Sequence, residues 1–458
     1  MELKNIHNIY FLGIGGIGMS ALARYFHQMG YKVSGYDLSC TSITRGLEDK
    51  GITIHYEPSV LSITGNFLKK DETLVVLTPA VPDEHPELQY FKKNDFTIMK
   101  RAEVLGMIFN QKKGIAIAGT HGKTSVTSMT AHIMSEAPLG TNAFLGGILK
   151  NTNSNLMVNE SSPWVVAEAD EYDRSFLQLN PNIAVITWID SDHLDIYNTS
   201  DAIHEAFTEF AMQIKPDGKL ILKKDIELIL QRQDITVCTY AYSDTEADFH
   251  AADVRLNNGL YTFDINTPEG LIKDIRLQYP GLTNIENAVA AAAATWCAGV
   301  SREKIGKSLS GFLGVKRRFD IQFDNGKCIY IDDYAHHPRE LDAFISSVRN
   351  LYAGRKITGV FQPHLYSRTR DFAPDFAESL SKLDEVILLD IYPARERPMR
   401  GVTSEIIFNN ITVSNKELCR KGELLDLVRR KKFDVLLTMG AGDIDRFVEP
   451  IRKIIEGR

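Results

Sequence analysis

The sequence predicts an α/β protein of three domains, each built on a largely parallel sheet. Three observations carry this. Strand-like apolar runs alternate with helical stretches along the chain, with short breaks between them, as a parallel sheet flanked by helices requires. Two of the strand-to-helix turns are glycine-rich, FLGIGGIGMSALA from Phe11 and GIAIAGTHGKT from Gly114. A length of 458 residues suits about three domains.

Taken in order, strands near 6–12, 31–36, 52–56, 73–78 and 96–99 with helices between them make the first unit. It ends near Met107, before the polar stretch NQKKG, which sets a first domain of residues 1–107. The second, 108–315, opens with strand Gly114–Ala118 and the helical SVTSMTAHIMSE, and runs through PWVVAEAD and NIAVITWID. It closes with the alanine-rich helix NIENAVAAAAATWCA and a helix starting at Ser301. The third, 316–458, has strands near 327–332, 356–361, 385–391 and 433–438, each followed by a helical stretch. No solenoid-period repeat and no low-complexity tail interrupts the pattern.

Composition narrows the function classes. With 44% hydrophobic and 24% charged residues the chain reads as soluble and globular. A net charge of −7 argues against a general nucleic-acid binder, whose footprint would be basic. The five cysteines stand singly, with no C-x-x-C and no metal-ligand spacing, so reduced thiols in a reducing cytosol are expected. A strand running straight into a glycine turn opens the chain, and no apolar stretch approaches membrane-spanning length. Neither a signal peptide nor a membrane span is expected, and the expected location is the cytoplasm. The oligomeric state is not legible.

The second glycine turn is the sharper signal. Gly119 and Gly122 let successive backbone N–H groups point at one oxyanion, Lys123 adds a cation, and the Thr124 hydroxyl stands where a Mg²⁺ ligand is needed. This is nucleoside triphosphate chemistry on a loop shorter than a strict Walker A, because Ile117 occupies the position of the first glycine. The first turn places Gly13, Gly15, Gly16 and Gly18 between a strand and an apolar helix. Asp37 closes the next strand, nineteen residues past Gly18. That geometry licenses a diphosphate with a ribose nearby, which NAD, FAD and a UDP-sugar all satisfy.

Polar clusters stand at other strand ends. Glu168, Asp170, Glu171 and Asp173 follow one middle-domain strand, and Asp190, Asp192, His193 and Asp195 follow another. Carboxylates and an imidazole on the edge that carries the phosphate loop imply Mg²⁺. In the last third VKRRFD, IDDYAHHP and FQPHLYSRTRD add arginines, aspartates, Tyr334, His336, His337, His364, Arg368 and Arg370. The His336–His337 pair lacks a third ligand at metal spacing. A nicotinamide oxidoreductase would explain the first turn alone. A regulatory P-loop ATPase would explain both turns, but not the His and Arg loops.

G-T-H-G-K-T, E-A-D-E, D-H-L-D, N-x-x-N-A-x-x-A (284–291), R-R-F-D, D-D-Y-A-H-H-P and M-G-A-G-D-I (439–444) together resemble the Mur ligases, ATP-dependent amide-bond synthetases of peptidoglycan assembly. The resemblance spans the whole chain in order. It implies an N-terminal Rossmann-like domain, a central P-loop ATPase-like domain with a mainly parallel sheet, and a C-terminal Rossmann-like domain. G-I-G-G-I-G-M-S, T-P-A-V-P and F-Q-P-H-x-Y-S-R-T-R are similar to the branch that joins L-alanine to UDP-N-acetylmuramate. The ligase that recycles the murein tripeptide is the nearest alternative.

The resemblance also implies roles. Gly13, Gly15, Gly16 and Gly18 would hold the diphosphate of UDP-N-acetylmuramate, with Asp37, Thr78 and Ala80 nearby. Gly119, Thr120, His121, Gly122, Lys123, Thr124 and Ser125 would take the ATP phosphates, with Asn287 at the adenine, Arg318 at the phosphates and Asp333 at the ribose. Thr124 and Glu168 would ligate one Mg²⁺, and His193 a second. Tyr334, His336, His364 and Arg368 would frame the alanine. Lys123, Glu168, His193, Arg318 and His336 would carry catalysis. Domain closure near residues 107 and 315 is expected to keep an acyl phosphate dry. Two positions depart from the family: Thr283 stands where His is usual and Leu365 where this branch often has Arg. No lysine lies between Asp192 and Lys215, where many members carry a carbamoylated one.

Overall fold

The structure is a computed structural model that describes residues 5–189, 200–257, 259–394 and 396–457. The central strands of the three sheets are short, mostly apolar runs, because a parallel strand covered on both faces is buried along its length. The first sheet contains β1 (Asn8–Leu12), β2 (Lys32–Tyr36), β3 (Thr53–His55), β4 (Thr73–Leu77) and β5 (Thr97–Lys100). Its order is β3-β2-β1-β4-β5, parallel throughout. Strand order reverses at β1, so a crevice opens at the carboxyl ends of β1 and β4, where such sheets bind ligands.

The second sheet has ten strands: β6 (Lys113–Ala118), β7 (Asn142–Leu149), β8 (Ser154–Met157), β9 (Trp164–Glu168), β10 (Ile183–Ile186), β11 (Lys219–Lys223), β12 (Thr236–Ala241), β13 (Phe249–Asn257), β14 (Leu260–Thr267) and β15 (Gly270–Leu277). The order β15-β14-β13-β12-β11-β10-β6-β9-β7-β8 sets β6 between β10 and β9, parallel to both. β8 runs antiparallel to β7. The third sheet, β16-β17-β21-β18-β19-β20, contains β16 (Asp320–Asp324), β17 (Ile329–Asp333), β18 (Ile357–Phe361), β19 (Glu385–Leu389), β20 (Lys416–Cys419) and β21 (Val435–Met439). It is parallel except for the edge strand β16.

By contacts the chain forms two compact units. One comprises Met1–Val254, Phe263–Arg276 and Glu286–Phe312, and the other Arg255–Thr262, Leu277–Ile285 and Leu313–Arg458. Within the first unit one apolar cluster runs from Ile9, Phe11 and Phe26 through Phe109 to Ala116, Phe176 and Phe210, so the first two sheets share a core. A buried polar clip adds to it. Arg24, on helix Ile17–Gln28, donates to Asn155 on β8 at 2.6 Å, and Asn155 donates back to Ile17 O and Ser20 Oγ at 2.6 and 3.0 Å. This fixes the helix that the first glycine turn feeds. Met107 stands inside helix Arg101–Asn110, and the chain leaves that helix at Gln111. Among the described residues no helix is long and apolar enough to cross a membrane, and all five cysteines are free thiols.

Candidate active site

The phosphate loop connects β6 to helix Lys123–Glu136. Gly119 and Gly122 hold φ of +134° and +82°, which side-chain-bearing residues rarely adopt. Space demands glycine as well. A Cβ on Gly119 would lie 2.1 Å from Thr187 Oγ1 and 2.8 Å from Trp188 N, and one on Gly122 would lie 2.9 Å from Asn287 Oδ1. The Thr187 hydroxyl, at the end of β10, donates to the carbonyls of Ala118 and His121, and Thr120 N donates to Trp188 O at 2.9 Å. The loop is therefore held by its neighbouring strand, with Asn287 against it and Thr120 and Ser125 buried.

The Lys123 ammonium donates to Gly119 O at 2.6 Å and to Glu171 Oε1 at 2.8 Å. Burial alone would depress its pKa. The charges of Glu171, Asp170 and Glu168 outweigh that and the net shift is upward, so Lys123 is a cation at every physiological pH. Glu171 is fully buried. A phosphate arriving at the loop would take over the ammonium donors that this carboxylate and the Gly119 carbonyl now use.

The remaining acidic residues of 168–173 face three partners. Glu168 accepts from the Thr124 hydroxyl at 3.2 Å. Asp170 and Asp173 instead face Arg101, at the start of the helix after β5, and Lys100, at the end of β5, at 3.5 and 2.9 Å. Thr124 and Glu168 offer the hard oxygen donors Mg²⁺ prefers. Space for the carboxylate is provided by Gly146 on β7, where a Cβ would stand 1.9 Å from Glu168 Oε2. These residues fit the ion. Among the described residues no set of three or more His, Cys, Asp and Glu side chains gathers around one point. His193, the expected ligand of a second Mg²⁺, and the neighbouring Asp190, Asp192 and Asp195 lie outside the described residues.

The first glycine turn gathers all seven residues expected there. Gly13 N and Ile14 N donate to Tyr36 O at 2.8 and 3.0 Å. Gly13, at φ +85°, has Thr78 Cγ2 only 2.5 Å from where its Cβ would be, so the turn 78–81, with exposed Ala80, packs on it. Gly16 N donates to Gly13 O at 3.3 Å. Asp37 accepts from Gly15 N at 2.7 Å and from Ser39 N at 3.1 Å, so its carboxylate already braces the turn. Arg101 lies over Gly18, its Nη1 2.9 Å from the position of a Cβ.

In the second unit the expected histidine and arginine loops meet at the carboxyl ends of β17 and β18. Asp333 is buried and accepts from Phe319 N at 2.6 Å and Ala335 N at 2.7 Å, with burial pushing its carboxyl up to about 7 against the pull of Arg318 and those N–H groups. Arg317 is committed to structure: it donates to Asp332 at 3.1 Å and to Gly440 O at 2.6 Å, on a backbone at φ +62°. Arg318 reaches toward Glu340 at 3.9 Å and over the Tyr334 ring at 5.1 Å. His337 and Glu340 form the capping box of helix Pro338–Leu351.

His336 Nδ1 lies 3.1 Å from Tyr334 O and 3.2 Å from Glu340 Oε2. Both neighbours are acceptors, so Nδ1 carries the ring proton and Nε2 keeps its lone pair. Burial, with Arg368 and Arg318 adding to it and Glu340 opposing, lowers its pKa to about 4, and the ring is neutral at physiological pH. Its ring centroid is 5.2 Å from Tyr334 and 5.9 Å from His364, and His364 stacks on Tyr392 at 5.7 Å. The charge of Arg368 bears on both Tyr334 and His336. Arg370 turns away to pair with Asp371 at 2.6 Å. Leu365 is buried at φ +70°, starting the short helix Tyr366–Asp371.

Sequence reasoning missed Glu171 as the partner of Lys123, Thr187 behind the loop, and Arg317, Glu340 and Tyr392 around the histidines. Glu340 had a local signal, a carboxylate three residues past His337 before an apolar helix face. Tyr392 had none, because a bridge between strand ends brings it to His364.

A phosphate loop with a paired lysine in the middle sheet, a second glycine-rich turn in the first and an Arg–His cluster at strand ends of the third are features of a nucleotide-using α/β enzyme. Residues 8–113 match the family description "Mur ligase family, catalytic domain", 117–295 "Mur ligase middle domain" and 317–442 "Mur ligase, glutamate ligase domain". The chain is 53% identical to a UDP-N-acetylmuramate–L-alanine ligase of Parabacteroides distasonis over 99% of this chain and 98% of that one. It is 50% identical to the protein of that name from Phocaeicola vulgatus, over 98% of each. The crystal structure of the UDP-N-acetylmuramate-alanine ligase of Thermotoga maritima superposes with a TM-score of 0.83 at 27% identity, covering 98% of this chain and 99% of that one. The chain belongs to the Mur ligase family.

Proposed function

We propose that this chain joins L-alanine to the lactyl carboxylate of UDP-N-acetylmuramate, using ATP and releasing ADP and phosphate, in the synthesis of peptidoglycan precursors. The observation that carries the reading is Lys123, held between Gly119 O and buried Glu171 at the loop, in a chain alike over its full length to ligases of that name. Residues 1–107 are assigned to the UDP-sugar, 108–315 to ATP and 316–458 to the amino acid. The cytoplasm, where soluble nucleotide substrates are supplied, is the proposed location.

The chemistry follows from charge. A carboxylate attacking a triphosphate brings anion to anion, and Lys123 and Arg318 supply fixed positive charge to the transferring phosphoryl group. Mg²⁺, when held by Thr124 and Glu168, would add a further positive charge at the phosphates. Thr120, His121 and Ser125 line the same loop, Asn287 is assigned to the adenine and Asp333 to the ribose. The acyl phosphate so formed is attacked by the amine of alanine, and phosphate leaves through a tetrahedral intermediate. The amine must shed a proton, and His336, neutral with Nε2 unprotonated, is the acceptor we assign, with His364 beside it. Tyr334 and His364 frame the amino acid, whose carboxylate is assigned to the two-pronged guanidinium of Arg368.

Isothermal titration tests the ligand of the first turn. UDP-N-acetylmuramate is expected to bind in the absence of ATP and alanine, and NAD is not. Tight NAD binding with no response to the UDP-sugar would overturn the reading.

A further inference from the structure

The ten residues Met99–Ile108 include a cation that no motif accounts for. Arg101 opens the helix after β5 and lies directly over the first glycine turn: Nη1 is 2.9 Å, and Cδ 3.1 Å, from the Cβ position of Gly18. Its side chain is 23% exposed, so the guanidinium beside the turn is open to solvent. Helix Ile17–Gln28 begins beneath it with no side-chain cap and no acidic residue in its first turn. Among the described residues the hydrogen-bonded partner of this five-donor group is Asp170, at a long 3.5 Å. Asp170 belongs to the segment whose Glu168 and Glu171 hold Thr124 and Lys123 of the phosphate loop.

We propose that Arg101 is the diphosphate-binding cation of the first glycine turn, and that Asp170 is the resting anion the diphosphate displaces from it. This rests on the reading of that turn as a UDP-sugar site. Two phosphoryl groups carry more charge and more acceptor oxygens than one half-exposed carboxylate, and a planar guanidinium matches them two donors at a time. The displacement leaves Asp170 free beside the segment that holds Lys123. Lys100, paired with Asp173 where both are largely exposed, has no comparable position over the turn.

The test is titration of the full-length protein with UDP-N-acetylmuramate, UDP and uridine, with ATP as a control. Arg101→Ala is expected to weaken UDP-N-acetylmuramate and UDP roughly 10- to 100-fold, the range for losing hydrogen bonds to a charged group. Uridine and ATP affinities should not change. Arg101→Lys should fall between, because it keeps the charge and loses the fork. Asp170→Asn should tighten UDP binding when Arg101 is present and have no effect in the Arg101→Ala background. Equal UDP affinity in wild-type and Arg101→Ala protein, or additive effects of the two substitutions, would overturn the proposal. Failure of the wild-type protein to bind UDP-N-acetylmuramate would instead refute the reading of the turn itself.

Discussion

Lys123→Ala is expected to leave UDP-N-acetylmuramate binding near normal and to lower turnover by roughly 100- to 1,000-fold, the cost of removing one fixed positive group from a developing oxyanion. The sugar-nucleotide turn is built on the first sheet and the lysine on the second, so the binding site for one substrate survives the loss of the other's cation. The variant also removes the ammonium that pairs with the buried Glu171 carboxylate at 2.8 Å. Some loss of stability is therefore expected with the loss of rate, since breaking a buried ion pair is costly. Lys123→Met shares that defect, whereas Lys123→Ala with Glu171→Gln removes both charges and separates stability from catalysis. ATP-dependent ligation within about tenfold of the parent in either variant would contradict the assigned role of Lys123.

Arg368 gives the second large effect. If its guanidinium holds the carboxylate of alanine, Arg368→Lys raises the KM for the amino acid while ATP and UDP-sugar affinities change little, because lysine keeps the charge but loses the two-pronged contact. Arg368→Ala costs more, on the order of 2–5 kcal/mol for a desolvated charge pair. Arg368 also bears on His336, whose pKa it helps to hold down to about 4. Its removal should therefore raise the His336 pKa toward the ordinary histidine value, moving the acid limb of the pH–rate profile to higher pH. Steady-state kinetics with each substrate varied in turn decides the matter. An effect confined to ATP would move Arg368 to the phosphate site.

Much of this was legible before any coordinates, for physical reasons that differ between elements. β1, β6, β10 and β21 are mostly apolar, as strands covered on both faces tend to be, and the turns that end β1 and β6 announce themselves by glycine. β7 was not read, because Gly146 and Gly147 in its middle weaken a strand pattern. Gly146 is there for another reason, to leave room for the Glu168 carboxylate. β14 alternates buried and half-exposed positions over eight residues, a period-two signal that went unread beside the stronger runs. At the candidate site, Lys123, Thr124, Glu168, His336 and Arg368 were legible as candidates because their neighbours form motifs. Glu171 and Tyr392 were not, because their roles come from what they pair with across the fold. Asp37 was expected near the diphosphate, and its carboxylate braces the Gly15 N–H.

The central claim is that ATP cleavage, the sugar nucleotide and the amino acid belong to one reaction. The most direct measurement is ADP release, followed with ATP present and UDP-N-acetylmuramate and L-alanine supplied separately and together. The account predicts sustained ADP release only when both are present, with one amide formed per ADP. Release that proceeds at the same rate without the UDP-sugar, or without the amino acid, would contradict it.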